Sequence, residues 1–234
     1  QCLIATKASR VVYAAQGDGI MEFGLRRAQG PDAGLYGARA AVIGGCVGTS
    51  NVLAGEMFDV PVMGTHAHSW IMTFKDEYTA FKEYARLYPD ACTLLVDTYD
   101  TLKSGVPNAI RVFTEMREAG IKPKSYGIRL DSGDLAYLSK KARKMLDDAG
   151  FQDAVIAASN DLDEFLIHDL KMQGAAISSW GVGTNLITSK DCPSFGGVYK
   201  LAAIQNAEGQ FIPKIKISEN VGKITNPHFK KLYR

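Results

Sequence analysis

The chain has 234 residues, 46% of them hydrophobic and 22% charged, and 27 Lys and Arg against 25 Asp and Glu leave a net charge of +2. This is the mix of a globular protein with a sizeable core, not of a disordered chain. Near-neutrality gives nucleic acid or an anionic membrane no electrostatic claim as the main partner, and no apolar run approaches the ~20 residues of a membrane span.

The sequence starts at Gln1 without a basic, apolar leader pattern. Residues 1–22 are therefore expected to be a lead-in from an N-terminal domain, the whole being part of a longer chain. Four separated cysteines (Cys2, Cys46, Cys92, Cys192) contain no C-x-x-C pair. That argues against a disulfide framework or a zinc site and for a reducing, cytoplasmic setting.

From Pro61 onward a rhythm repeats. Short apolar runs, predicted as strands, end in polar clusters: 61–63 in Gly64-Thr65-His66-Ala67-His68-Ser69, 93–96 in Asp97-Thr98-Tyr99-Asp100, 126–128 in Arg129-Leu130-Asp131-Ser132-Gly133-Asp134. Two more follow, 154–158 ending in Ser159-Asn160-Asp161 and 178–180 in Gly181-Val182-Gly183-Thr184-Asn185. Between them, residues 76–88, 105–119, 134–149 and 161–173 carry apolar stripes at helical spacing, for example Leu135, Leu138, Ala142, Met145 and Leu146. Strands alternating with helices of this length predict a parallel sheet. Polar clusters after so many successive strands favour a barrel, whose active face lies at the strands' C-terminal ends, over an open sheet with one switch point. The barrel is assigned to residues 23–205, with a last strand at Val198–Leu201. The character changes after Cys192-Pro193. The period-two pattern of 210–217 and the Lys-rich end predict that 206–234 begin a β-rich C-terminal module.

Several clusters can carry chemistry. His66 and His68, two apart at a strand end, offer a neutral imidazole as general base or phosphoryl acceptor; spacing alone does not choose between them. No carboxylate or cysteine lies beside them in sequence to complete a metal set. Arg129 and Asp131 share a face, and an inward guanidinium at a strand end needs a partner or a ligand. Asp134 fits a helix cap and Ser69 another. Gly181-Val182-Gly183-Thr184 presents backbone N–H groups suited to phosphate. Ser159-Asn160-Asp161-Leu162-Asp163 suits ribose hydroxyls, a magnesium shell or a helix cap. Phe23 offers a face for a flat heterocycle, and Arg26 a cation for an anion.

Taken in order, Glu22-Phe23-Gly24-Leu25-Arg26-Arg27-Ala28-Gln29-Gly30-Pro31, Gly48-Thr49-Ser50-Asn51-Val52, the two-histidine cluster, Arg129–Leu135 and Gly181–Thr184 resemble nicotinate phosphoribosyltransferases over nearly the whole chain. The resemblance implies an irregular TIM-like α/β barrel of the type II phosphoribosyltransferase kind, joined to a domain built from both chain ends. It implies transfer of phosphoribose from phosphoribosyl pyrophosphate to nicotinate, with Mg2+ as cofactor and ATP as co-substrate. It matches His68 to a phosphorylated histidine and places Asp131 as a carboxylate beside the base. Phe23, Arg26, Thr65 and Arg129 match groups around base and phosphates, and Asn160 lies near the position that handles the ribose. Gly181, Gly183 and Thr184 match the 5′-phosphate cradle. Ser50 stands where nicotinamide-using relatives carry Asp, which points to nicotinate. A homodimer is implied, in which a neighbouring subunit's tyrosine completes the base sandwich. A departure is His228, in Thr225-Asn226-Pro227-His228, where the family often has Gly. The rival readings are nicotinamide use, a silent barrel scaffold, and a barrel lyase acting on a sugar phosphate.

Overall fold

The computed structural model describes residues 1–231 and Tyr233. They fall into two units, Gln1–Pro193 and Ser194–Arg234. The division lies at the Cys192-Pro193 change of character.

In the first unit, parallel strands β1 (Gly19–Glu22), β2 (Gly48–Thr49), β3 (Ala91–Leu95), β4 (Ser125–Leu130), β5 (Val155–Ala158) and β6 (Ser179–Val182) form one curled sheet. Its order is β2-β1-β6-β5-β4-β3. Apart from the β1–β6 pairing, every neighbour is also a neighbour in sequence. This is a six-strand barrel order opened between β2 and β3. The register sets Leu95 beside Arg129, Arg129 beside Ala157, and Glu22 beside Val182. All strands therefore run out at one end, and the polar clusters collect there.

The segment predicted as a strand at 61–63 passes through the open seam. It is not a strand, only a single bridge between Thr49 and Val62. On one side Thr49 N–H donates to Pro61 and Met63 N–H to Thr49, both at 3.0 Å. On the other, Leu95 N–H points out of the sheet and donates to the His66 ring nitrogen Nε2 at 3.2 Å. The irregularity has two causes: Pro61 lacks an N–H for a regular ladder, and a side chain stands in for a backbone acceptor.

Helices cover the outside of the sheet. They are α1 (Cys2–Ala14), α2 (Pro31–Ile43), α3 (Val52–Phe58), α4 (His68–Thr73), α5 (Glu77–Leu87), α6 (Val106–Glu118), α7 (Leu135–Asp148), α8 (Glu164–Met172) and the short α9 (Thr184–Ile187). Side-chain oxygens of Asn51, Asp76, Asp134 and Asp163 cap α3, α5, α7 and α8. Ser69 is not a cap, since α4 already begins at His68. The helix predicted from residue 161 starts three residues later, because Asp161 is left-handed (φ 38°) and Asp163 supplies the cap. Its buried stripe is Ile167 and Leu170, while Phe165 and Leu166 face outward. Residues 1–22 contribute α1 and the whole of β1. Lys7, 3% exposed, anchors α1 through a 2.7 Å ion pair to Glu164 on α8.

Trp180, Ile20, Leu94, Ile128, Leu130 and Ile156 fill the sheet's core. Trp180 Nε1 donates to Asp18, which also pairs with Lys171 at 2.6 Å. Among the described residues, no helix is long and apolar enough to cross a membrane.

In the second unit, β7 (Ala203–Gln205) and β8 (Phe211–Pro213) form an antiparallel hairpin. Val198–Leu201, predicted as the last strand, is unpaired, and only 211–213 of the alternating 210–217 pattern forms a strand. His228 holds φ 72°, a left-handed backbone that glycine adopts without cost.

Gly127 in β4 shows how closely the strands below the site approach. A Cβ there would lie 2.0 Å from the Val155 carbonyl oxygen. Gly127→Ala is expected to destabilise the chain by about 3 kcal/mol. Gly64→Ala, with nothing within 4 Å of the new methyl, is expected to stay within about 0.5 kcal/mol. Urea-denaturation midpoints of the two variants check this pair.

Candidate active site

The C-terminal end of β4 carries Arg129, whose side chain is 16% exposed. Its Nε donates to Ser159 Oγ at 2.8 Å, one terminal nitrogen to Thr65 Oγ1 at 2.8 Å, and the other to Asp131 Oδ1 at 3.1 Å. Its guanidinium carbon lies 5.6 Å from the centre of the Phe23 ring. A guanidinium has five N–H groups, so among the described residues two are left for a ligand. The Ser159 hydroxyl closes the cluster by donating to Asp131. Burial pushes the Asp131 carboxyl up, but the Ser159 hydrogen bond, Arg129 and His68 outweigh it and hold the group below its ordinary range.

Phe23 sits at the end of β1, and its ring covers Gly181. A Cβ on Gly181 would stand 2.5 Å from the ring, so only glycine leaves room for Phe23 here. A cavity of about 220 Å³ opens beside them, lined by Phe23, Arg26, Arg27, Arg129, Asp131 and Ser159. Asn160, Asp161, Gly181, Gly183 and Thr184 complete the wall. Glu22 holds the turn beneath Phe23. It is fully buried and accepts from Thr49 Oγ1 at 2.5 Å and from Gly24 N–H. Burial raises its pKa against those two hydrogen bonds.

The two histidines have opposite environments. His66 is 7% exposed, edge-on to Tyr84 with 4.5 Å between ring centres. Burial pushes its pKa down to about 4. It is a seam residue. The His68 side chain is 39% exposed. Its Nδ1 lies 3.0 Å from Thr98 Oγ1, and its Nε2 faces Asp131 at 3.5 Å and Asp97 at 3.9 Å. Asp97 is in turn fixed by Asp131 N–H at 2.8 Å and Ser132 Oγ at 2.6 Å.

One family model, described as the nicotinate phosphoribosyltransferase (NAPRTase) family, matches residues 19–234. The chain belongs to that family. It is 58% identical over its full length to nicotinate phosphoribosyltransferase of Bacillus subtilis (strain 168), covering 47% of that protein. It is 41% identical to the Dictyostelium discoideum enzyme of the same name over 99% of the chain and 46% of the relative. The chain thus spans about half the length of the curated relatives it matches. Among solved structures, human nicotinic acid phosphoribosyltransferase aligns with a TM-score of 0.70 at 31% identity, over 77% of this chain and 46% of that one. A nicotinate-nucleotide pyrophosphorylase from Pyrococcus furiosus aligns with 0.64 at 29%, over 80% and 46%. The fold is the type II phosphoribosyltransferase barrel.

Of the residues picked out in the sequence, the structure gathers Phe23, Arg26, Arg129, Asp131, Asn160, Gly181, Gly183 and Thr184 around one cavity. Thr65 joins through Arg129 and His68 through Asp131. Ser50 lies one strand away. Its N–H donates to the Glu22 carbonyl at 3.0 Å, beside Phe23, and it is not part of the cavity wall. Sequence reasoning gave no role to Thr98, Asp97 or Asn185, and to Ser159 only a place in a cluster for ribose hydroxyls, not its tie to Arg129. Thr98, Asp97 and Ser159 stand in polar clusters after strands, so their place was readable, but their partners lie on other strands. Asn185 carried no signal beyond its neighbour Thr184.

The depressed His66 pKa links stability to pH. The unfolded side chain takes a proton near 6.5, the folded one only near 4. The unfolded state therefore binds more protons between those values. The stability that neutral His66 contributes is complete above pH 6.5 and is lost as pH falls toward 4. Urea unfolding at pH 7.0 and 4.5 is expected to show a larger drop for the parent chain than for His66→Leu.

Proposed function

We propose that this chain carries the catalytic barrel of an enzyme joining nicotinate to phosphoribosyl pyrophosphate, with nicotinate mononucleotide and pyrophosphate as products in cytoplasmic NAD salvage. The observation that carries the reading is Arg129, half-satisfied by its neighbours and set against Phe23, in a chain 58% identical to a protein named for this reaction. The pyridine ring stacks on Phe23, and the two remaining Arg129 N–H groups meet its carboxylate. Thr65 orients Arg129, and the Ser50 hydroxyl adds a donor on the carboxylate side. Asn160 meets the ribose hydroxyls. Gly181, Gly183, Thr184 and Arg26 receive the 5′-phosphate.

Breaking the bond to pyrophosphate develops positive charge on the sugar. The Asp131 carboxylate, held ionised by Ser159 and Arg129, is placed to stabilise it. Among the described residues no three His, Cys, Asp or Glu side chains are arranged to hold a metal. Magnesium therefore enters this reading only with the pyrophosphate substrate that it accompanies.

ATP hydrolysis is coupled through His68. With Nδ1–H donated to Thr98, the Nε2 lone pair attacks the γ-phosphorus and ADP departs; water later releases phosphate from the ring. The full-length protein acts as a homodimer in this reading.

Two measurements on the full-length protein test it, both starting from nicotinate mononucleotide formation by the parent enzyme. Ser50→Asp is expected to lower kcat/KM for nicotinate by about 1–3 kcal/mol through repulsion of its carboxylate. Unchanged kinetics rule out contact between Ser50 and that carboxylate. His68→Ala is expected to abolish coupled ATP hydrolysis and protein labelling by γ-labelled ATP while some transfer persists, whereas His66→Leu keeps the label. Label retained in His68→Ala overturns the phosphohistidine assignment.

A further inference from the structure

Asn160 and Asp161 form one wall of the cavity, and both hold left-handed backbone, with φ of 99° and 38°. Residues other than glycine enter that region at an energetic cost, smallest for Asn and Asp, and keep it only where the surroundings enforce it. Helix α8 does not enforce it, since its cap is Asp163. The sheet ladder ends one residue earlier, at Ser159 N–H on the Leu130 carbonyl.

What holds the pair lies on a different element, the short helix α9. Asn185 is 4% exposed, and its Nδ2 donates to the Asp161 carbonyl at 2.7 Å and the Leu162 carbonyl at 3.1 Å. Both N–H groups of the amide are thus spent on the backbone immediately after the left-handed turn. Asn185 itself follows Gly183 and Thr184, which line the same cavity. One buried amide therefore ties the Asn160-Asp161 turn to the start of α9.

We propose that Asn185 is a positioning residue for the sugar-phosphate part of the substrate. It sets Asn160 and Asp161 at a fixed span from Gly183 and Thr184, and so governs affinity for phosphoribosyl pyrophosphate and not for the base. This rests on the phosphoribosyl-transfer reading above. The separation of the two effects follows from the bonding. Arg129, Thr65, Asp131 and Ser159 are tied to one another and to the sheet, with no bond to Asn185.

The test is steady-state kinetics of the full-length enzyme with Asn185→Ala and Asn185→Asp. Asp has the shape of Asn but cannot donate to two carbonyls. Leaving buried carbonyls unpaired is expected to raise KM for phosphoribosyl pyrophosphate about ten-fold, with KM for nicotinate within about two-fold. A second substitution, Asp161→Gly in the Asn185→Ala background, is expected to recover part of the loss, because glycine takes the left-handed turn unaided. Equal rises in both KM values, or a lower Tm with both KM values unchanged, overturn the proposal. A parent enzyme that makes no nicotinate mononucleotide overturns the functional reading instead. In that case calorimetric titration with ribose 5-phosphate decides the role of Asn185: weaker binding in Asn185→Ala supports it, and equal binding sinks it.

Discussion

A guanidinium placed 16% exposed at the end of a sheet's inner strand cannot remain without partners, because desolvating a charge costs several kcal/mol. Much of the site is organised around that requirement. β5 supplies Ser159, the seam supplies Thr65, β4 itself supplies Asp131, and β1 brings the Phe23 ring alongside. Four separate stretches of chain are brought to one point by one side chain. The remaining donors on that side chain are left over at a cavity that Arg129 lines.

The site is also divided by charge. Arg26 and Arg27 line the cavity with Thr184 and the glycines, while His68 stands over Asp97 and Asp131. Arg129 and Asp131 lie at the boundary. A substrate with an anionic end and a centre that gains positive charge fits that division, since each part meets the opposite sign.

The alternation of strand and helix was legible in the sequence because it is written in local periods. Apolar runs and the Asp134 cap each need only a few neighbouring residues. The seam was not legible. Pro61–Met63 has the composition of a strand, and nothing local says that its neighbour on one side is a histidine ring instead of a backbone. The gathering of Phe23, Arg129 and Gly181 was anticipated through the resemblance, but the ties of Ser159 to Arg129 and of Thr98 to His68 join residues about thirty apart. No periodicity records such pairs. The two histidines make the point sharply: equal by spacing, they are separated by burial alone.

His66 carries a consequence for how the barrel is held together. Along most of the sheet, neighbouring strands are joined by backbone ladders, which yield only when several bonds break together. Between the seam segment and β3, an imidazole accepting one N–H takes that place. Such a joint depends on one ring nitrogen and not on a ladder of several bonds. Thr65 and His68 flank that ring, so the one-bond joint lies beside the exposed histidine and the residue that bonds Arg129.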